Sequence, residues 1–230
     1  MIARIALICA LFVSAACAEQ DYVGRFDIYG GFSYLESPHI NLAERGFEFQ
    51  TGMRVRTWMT LGFDYAVFTG HTTLKPALLT TSLQTQLGQQ LAALVAAHII
   101  PPTYSLVVPI DSTTQTFAAG PQFSYRRWNA VTPFIRPSIG AIYEKATPHA
   151  TDPIAQGVIN QLAPSGQKTD WVPFYGFGGG IDANLTRHFA IRFQADFVHD
   201  HLFSDLLKDG RNSIRFSLGP ALQFGSNVRK

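Results

Sequence analysis

The chain has 230 residues, enough for one domain with a sizeable core. Charged residues make up 15% and aromatic residues 13%. That balance is apolar for a globular chain, yet beyond the first 18 residues no run of about 18 apolar residues occurs, which argues against spanning helices. A formal net charge of +2 is too small to point to nucleic acid.

Residues 1–18 read as a secretory signal. Arg4 gives a positive start, Ile5 to Val13 an apolar core, and Ala16-Cys17-Ala18 a small-x-small cleavage site before Glu19. Lipidation at Cys17 is the weaker reading, because Ser14 stands where a branched apolar residue is usual. Both cysteines, Cys9 and Cys17, fall in this leader. A mature domain over 19–230 would then have no disulfide, thiolate metal site or cysteine nucleophile.

The remainder alternates with period 2, the signature of strands. Tyr22 to Tyr34 is the first, with Phe26, Ile28 and Phe32 opposing Arg25 and Asp27. Leu35 to Arg45 reads as a loop. Phe47 to Thr57 follows, with Phe47, Phe49, Met53 and Val55 against Glu48, Gln50, Arg54 and Arg56. After a turn at Trp58-Met59 comes Leu61 to Thr69, with Phe63 and Tyr65 against Asp64.

A long interruption, 70–113, contains a helical pattern from Pro76 to Ile100. Leu79, Leu83, Leu87, Leu91 and Leu94 recur at helix spacing, and Pro101-Pro102 ends the run. Four glutamines make it amphipathic rather than membrane-spanning, and its apolar stripe needs a cover: other loops, a membrane surface or a partner. Thr116 to Arg126 and Pro133 to Lys145 are the fourth and fifth strands, with Gln122, Arg126, Arg136 and Glu144 on the polar face. Thr147 to Thr169 reads as a loop.

The most informative stretch is Phe174 to Asp196. Tyr175, Phe177, Ile181 and Leu185 share one face, and Gly176, Gly178, Gly180, Asp182 and Asn184 the other. After Thr186-Arg187-His188, Ile191, Phe193, Ala195 and Phe197 oppose Arg192, Gln194 and Asp196. This is a hairpin with one apolar and one charged face. His199 to Arg211 is a charged loop, and Ser213 to Phe224 the last strand, with Arg215 on the polar face.

The strands number eight, and tight connections at 57–59, 127–130 and 186–188 alternate with long ones. That rhythm predicts an all-β, antiparallel, up-and-down transmembrane barrel, with a helix in its second long loop, rather than a soluble lipocalin-like barrel or sandwich. Trp58, Trp128 and Trp171 near strand ends fit interfacial girdles. Pro121, Pro137 and Pro220 fall inside strands, where bulges are expected to absorb the missing N–H groups.

Gly178-Gly179-Gly180-Ile181-Asp182, Thr186-Arg187-His188-Phe189-Ala190-Ile191-Arg192 and Gln194-Ala195-Asp196-Phe197 resemble the small outer-membrane barrels of Gram-negative-type bacteria, broadly the barrel domain of OmpA. The resemblance runs over most of the chain after residue 20. It implies outer-membrane lipids and lipopolysaccharide as surroundings, insertion by the barrel-assembly machinery, a monomer, and a surface or host ligand met through the loops. It implies no cofactor. Ser217-x-Gly219-x-x-Leu222-x-Phe224 resembles the assembly signal, although Gly225 to Lys230 follow where that signal usually ends the chain.

Eight strands leave an interior only wide enough for side chains to fill. The predicted lumen set is Arg25, Asp27, Glu48, Arg54, Arg56, Asp64, Arg126, Arg136, Glu144, Asp182, Arg192, Asp196 and Arg215. Buried charges need partners, and Asp182 and Arg192, symmetric about Arg187, should meet across their hairpin. The expected role is a filled, non-conducting barrel with a structural or interactive function. The alternatives are a narrow solute channel or a lipid hydrolase of the deacylase or phospholipase type. For the latter, His199, His201 and Ser204 at the rim supply the residue types of a histidine-activated serine, and the two histidines could also take a metal.

Overall fold

The computed structural model describes residues 20–208 and 210–228; the leader expected at 1–18 lies outside them. The strands are β1 (Gly24–Ser37), β2 (Leu42–Arg56), β3 (Met59–Leu74), β4 (Val108–Ser124), β5 (Val131–Pro148), β6 (Lys168–Asn184), β7 (Phe189–Asp200) and β8 (Arg211–Asn227). Each pairs antiparallel with its sequence neighbours, and β8 returns to β1 to close the barrel. The fold is therefore the eight-stranded up-and-down barrel. No described helix is long and apolar enough to cross a membrane; the crossing is made by strands.

The outer wall is apolar along its whole girth. Phe47 is 68% exposed and Ile139 72%, and Phe49, Phe63, Tyr175, Phe177, Phe193 and Phe216 share this outward face. A wall of this extent far exceeds the exposed apolar patches of water-soluble monomers. It matches the lipid-facing band of a membrane barrel. Trp58, Trp128 and Trp171 are exposed and ring-packed, on Phe123, Tyr125 and Tyr143 respectively.

The strands run well beyond the predicted ends at the long-loop side: β2 begins at Leu42, β3 continues to Leu74, and β6 starts at Lys168. Beyond the lipid band the outward positions are polar, as at His71, Thr73 and Asp111, so the hydrophobic period fades while the hydrogen-bonded pairing continues. As a result the first long connection shrinks to 38–41, occupied by a 3-10 turn.

The prolines correct another expectation. No bulge forms at them. Pro121 and Pro137 stand opposite each other across β4 and β5, where the ladder is interrupted between Ala119↔Ile139 and Phe123↔Ile135 and resumes in the same register. Pro220 likewise faces the Gly30-Gly31 gap between Tyr29↔Ala221 and Phe32↔Leu218. Placing two residues without N–H groups in one gap limits the disruption to a single site. The irregularities fall instead at Gly24/Phe26 and Arg54/Arg56, at the short-turn end.

The predicted helix at 76–100 is a 3-10 turn at Pro76–Leu78 followed by α1 (Thr81–Ala96). A second helix, α2 (Pro153–Leu162), lies in the stretch predicted to be loop. Pro153 at its start and an Asp152 cap are its sequence signals.

Candidate functional site in the lumen and its cap

Inward-facing side chains form three stacked charge layers. Nearest the short turns, Arg192 is 2% exposed, and its Nε and Nη2 donate to Asp182 at 2.7 and 3.0 Å. Its Nη2 also reaches Asp27 at 3.3 Å and its Nη1 donates to Gln50 at 3.0 Å. Its guanidinium lies over the rings of Phe134 and Tyr29, at 4.8 and 5.3 Å. Arg54 contacts the same Asp27 at 3.6 Å and donates to the Gly24 carbonyl. Arg126, past the end of β4, donates to the Thr57 carbonyl at 2.9 Å and to Gln20 at 3.1 Å, lining the short-turn mouth.

In the middle layer Arg215 donates to Asp196 at 2.8 and 3.0 Å and contacts Asp64 at 3.3 Å and Glu48 at 3.5 Å. Arg136 meets Asp64 at 2.8 Å. Gln194 donates to Asp196 at 2.7 Å, and Gln50 donates to Gln194 at 3.0 Å and to Glu48. Two arginines among three carboxylates, with amides bridging them, leave the charges partnered across the bore.

Of the third layer only Glu144 was read from the sequence. Arg211 donates to Glu144 at 2.6 Å and to Asp200 at 3.2 Å, while Ser112 and Thr114 each donate to Glu44 at 2.9 Å. The signal was present. Glu44 is four residues before Glu48, Asp200 four after Asp196, and Arg211 four before Arg215, each on the same strand face. Ending the strands too early hid them.

Two expected lumen residues are corrected. Arg25 and Arg56 are exposed. Each sits at one of the two register irregularities, Gly24/Phe26 and Arg54/Arg56, where an extra residue in one strand turns its side chain off the inner face.

The glycine run of β6 is explained by the same packing. A Cβ on Gly178 would lie 1.7 Å from an Asp196 carboxylate oxygen, and one on Gly180 would lie 2.3 Å from the Phe193 carbonyl and 2.7 Å from the Phe134 ring. The inner face of β6 is left empty so that neighbours can fill it.

On the β4 to β7 side, between the middle and third charge layers, the bore is lined by apolar side chains. Ala118, Ile142, Phe174 and Val198 point inward and receive Leu202 and Phe203 from the β7–β8 connection. Over them lies a cap. The α1 stripe of Leu79 and Leu87, with Leu83 and Leu91 beside it, packs on Leu106, Val108, Ala155, Val158 and Ile159. The cover for that stripe is thus other loops. Thr80 N donates to the Leu206 carbonyl at 2.8 Å and Lys208 N to the Leu78 carbonyl at 3.0 Å, which ties the β3–β4 and β7–β8 connections together.

Asp152 caps α2. Its carboxylate accepts from the N–H groups of Ile154 and Ala155, both at 2.8 Å, and from the Tyr104 hydroxyl at 2.9 Å. These donors, the Ala155 N–H foremost, hold the carboxyl below its ordinary range. Burial, then the hydrogen bond to Asp152 and its charge, push the Tyr104 hydroxyl up to about 12.

The rim candidates do not assemble. His199 Nδ1 lies 2.6 Å from Asn212 Oδ1, and its ring packs against Tyr175 and His201, each at 4.9 Å between centroids. Ser204 is exposed, and neither histidine hydrogen-bonds to it among the described residues. Elsewhere at the long-loop end, His71 and His149 share Asp111, at 2.5 and 2.8 Å. No cluster of three metal-ligating side chains occurs among the described residues.

No protein-family model matches the chain, and no curated protein matches it in sequence. Solved structures do match in fold. The neisserial surface protein A is 9% identical, with a TM-score of 0.53, covering 86% of this chain and 97% of that one. Ail, the attachment invasion locus protein of Yersinia pestis, is 14% identical, with a TM-score of 0.48 over 87% and 99%. The outer membrane protein OprG of Pseudomonas aeruginosa is 11% identical, with a TM-score of 0.47 over 91% and 100%. A closed eight-stranded bore, an apolar outer wall and the likeness to neisserial surface protein A together make the chain a small barrel of the outer-membrane protein fold.

Proposed function

We propose that the protein is a monomeric outer-membrane barrel of a Gram-negative-type bacterium, exported by a cleaved signal, inserted by the barrel-assembly machinery and bathed in membrane lipid and lipopolysaccharide. Its lumen charges hold the barrel shut and its working surface is the loop cap, which faces outward to a surface or host ligand. One observation carries this reading. The bore is crossed by three layers of paired side chains and then closed by Leu202, Phe203 and the two cap helices. A narrow solute channel finds no support in such a bore. For the lipid-hydrolase alternative, no serine is hydrogen-bonded to His199 or His201 among the described residues.

The orientation is tested in intact cells. Both native cysteines precede residue 19, so single cysteines can be introduced on a clean background. Gly88→Cys in α1 is expected to react with a membrane-impermeant maleimide on whole cells, and Leu185→Cys in the β6–β7 turn only after permeabilisation. The reverse pattern would overturn the outward-facing cap.

A further inference from the structure

Between the cap and the barrel mouth lies a cavity of about 90 Å³. Its wall is almost wholly apolar, built from Leu74, Val108 and Ile110 of the strands, Leu78 of the 3-10 turn, and Val158 and Ile159 of α2. Only two charged side chains reach it, and both are occupied. Glu144 accepts from Arg211 at 2.6 Å and from Ser112 at 3.1 Å, and Lys168 is paired with Asp205.

We propose that this cavity is a binding site for an uncharged aliphatic molecule of medium chain length. Three observations carry it. First, an apolar cavity without polar partners is unfavourable for water, because water needs two or more hydrogen bonds to stay. Second, with both lining charges already paired, a carboxylate or ammonium would be buried without a counter-charge, which selects against ionic ligands. Third, a water-sized site needs about 10–15 Å³ of such volume, so the space holds roughly six to nine groups of that size. A methylene is about as large as a water, so the chain is of similar length.

The floor supports the same reading. Phe203 separates the cavity from the lumen. It is one of three non-glycine residues at positive φ among the described residues, at 54°. Its N–H donates to Asp170 at 2.6 Å, which holds it there. A bulky residue fixed in the left-handed region marks a position where placement of the ring outweighs backbone comfort. Here that placement makes a floor for the cavity and a lid for the bore.

The test uses the full mature chain, methyl-labelled on Ile, Leu and Val, in nanodiscs of perdeuterated lipid, with n-octane and octanoate as probes. Saturable nuclear Overhauser contacts from n-octane to the Val158 and Ile159 methyls are expected, and octanoate should give none at neutral pH. Ala163→Phe or Ala146→Phe, each confirmed as folded by its unheated gel band, should abolish the contacts by filling the space. Contacts only to lipid-facing methyls such as Ile139 would overturn the proposal. Equal contacts from octanoate would overturn the uncharged class, and contacts that persist in both filled variants would overturn the location. The result is independent of conductance, so a leaky bore would refute the closed-barrel reading without touching this one.

Discussion

Arg192 is the residue on which the short-turn end of the lumen depends. Its guanidinium answers two carboxylates and an amide while lying over two rings. Removing one partner of such a buried set strands the others, which costs about 3–5 kcal/mol, whereas replacing both partners by apolar groups costs far less. Arg192→Met should therefore lower stability by about 3–5 kcal/mol in denaturant unfolding from lipid vesicles. Arg192→Met with Asp182→Leu should recover much of that loss; equal losses in both variants would contradict the account. Gly178 gives a second reading at this scale. Gly178→Ala drives a methyl into Asp196 and so against Arg215, an overpacking worth about 1–3 kcal/mol. Gly30→Ala, whose methyl meets nothing within 4 Å, should change stability by less than about 0.5 kcal/mol. Equal effects in the same unfolding assay would remove the packing explanation for the glycine run.

Among the elements, α2 shows how the cap is fastened. Its start rests on Asp152, which also receives Tyr104 from the preceding long connection. The Asp152 carboxyl titrates below its ordinary value. The cap is thus fully present above that ordinary value and is lost as pH falls through the lower folded one. Amide exchange at Ile154 and Ala155 should stay slow across neutral pH and quicken only in strong acid. In Asp152→Ala it should be fast throughout, and the Tyr104 hydroxyl, raised to about 12 in the wild type, should titrate lower by NMR. An unmoved Tyr104 would mean that burial alone sets its value. The strands were legible because lipid outside and charge inside write opposite characters on alternate residues, as in Phe193 against Arg192 and Gln194. That contrast vanishes beyond the lipid band, where Thr72, Asp111 and Lys168 meet water on one face and polar neighbours on the other. The outer third of each strand, and with it Glu44, Asp200 and Arg211, was therefore missed. α2 was missed because its ten residues include Gly157 and three amides, Gln156, Asn160 and Gln161, so its period was brief. The long α1 stripe was readable, but the cavity at the barrel mouth depends on contacts among four connections that no local pattern records.

At the scale of the molecule, two layers of opposite purpose share one wall. The outward aromatic face fits the barrel to lipid, and the inward charges link strands that are not neighbours in the sheet, from Asp27 on β1 to Arg192 on β7 and from Asp64 on β3 to Arg215 on β8. Arg215, 3% exposed, and Arg192 together bridge five carboxylates. The cap then adds an apolar stopper of Leu202 and Phe203 beneath two helices. On the proposed reading such a barrel carries no ions and acts at its capped end. Planar-bilayer conductance of the refolded, heat-modifiable protein tests this most directly. The account predicts electrical silence from a preparation with a β-rich spectrum and a folded band on unheated gels. Steady, reproducible channels from that same folded band would contradict it and move solute passage to the centre of the protein's function.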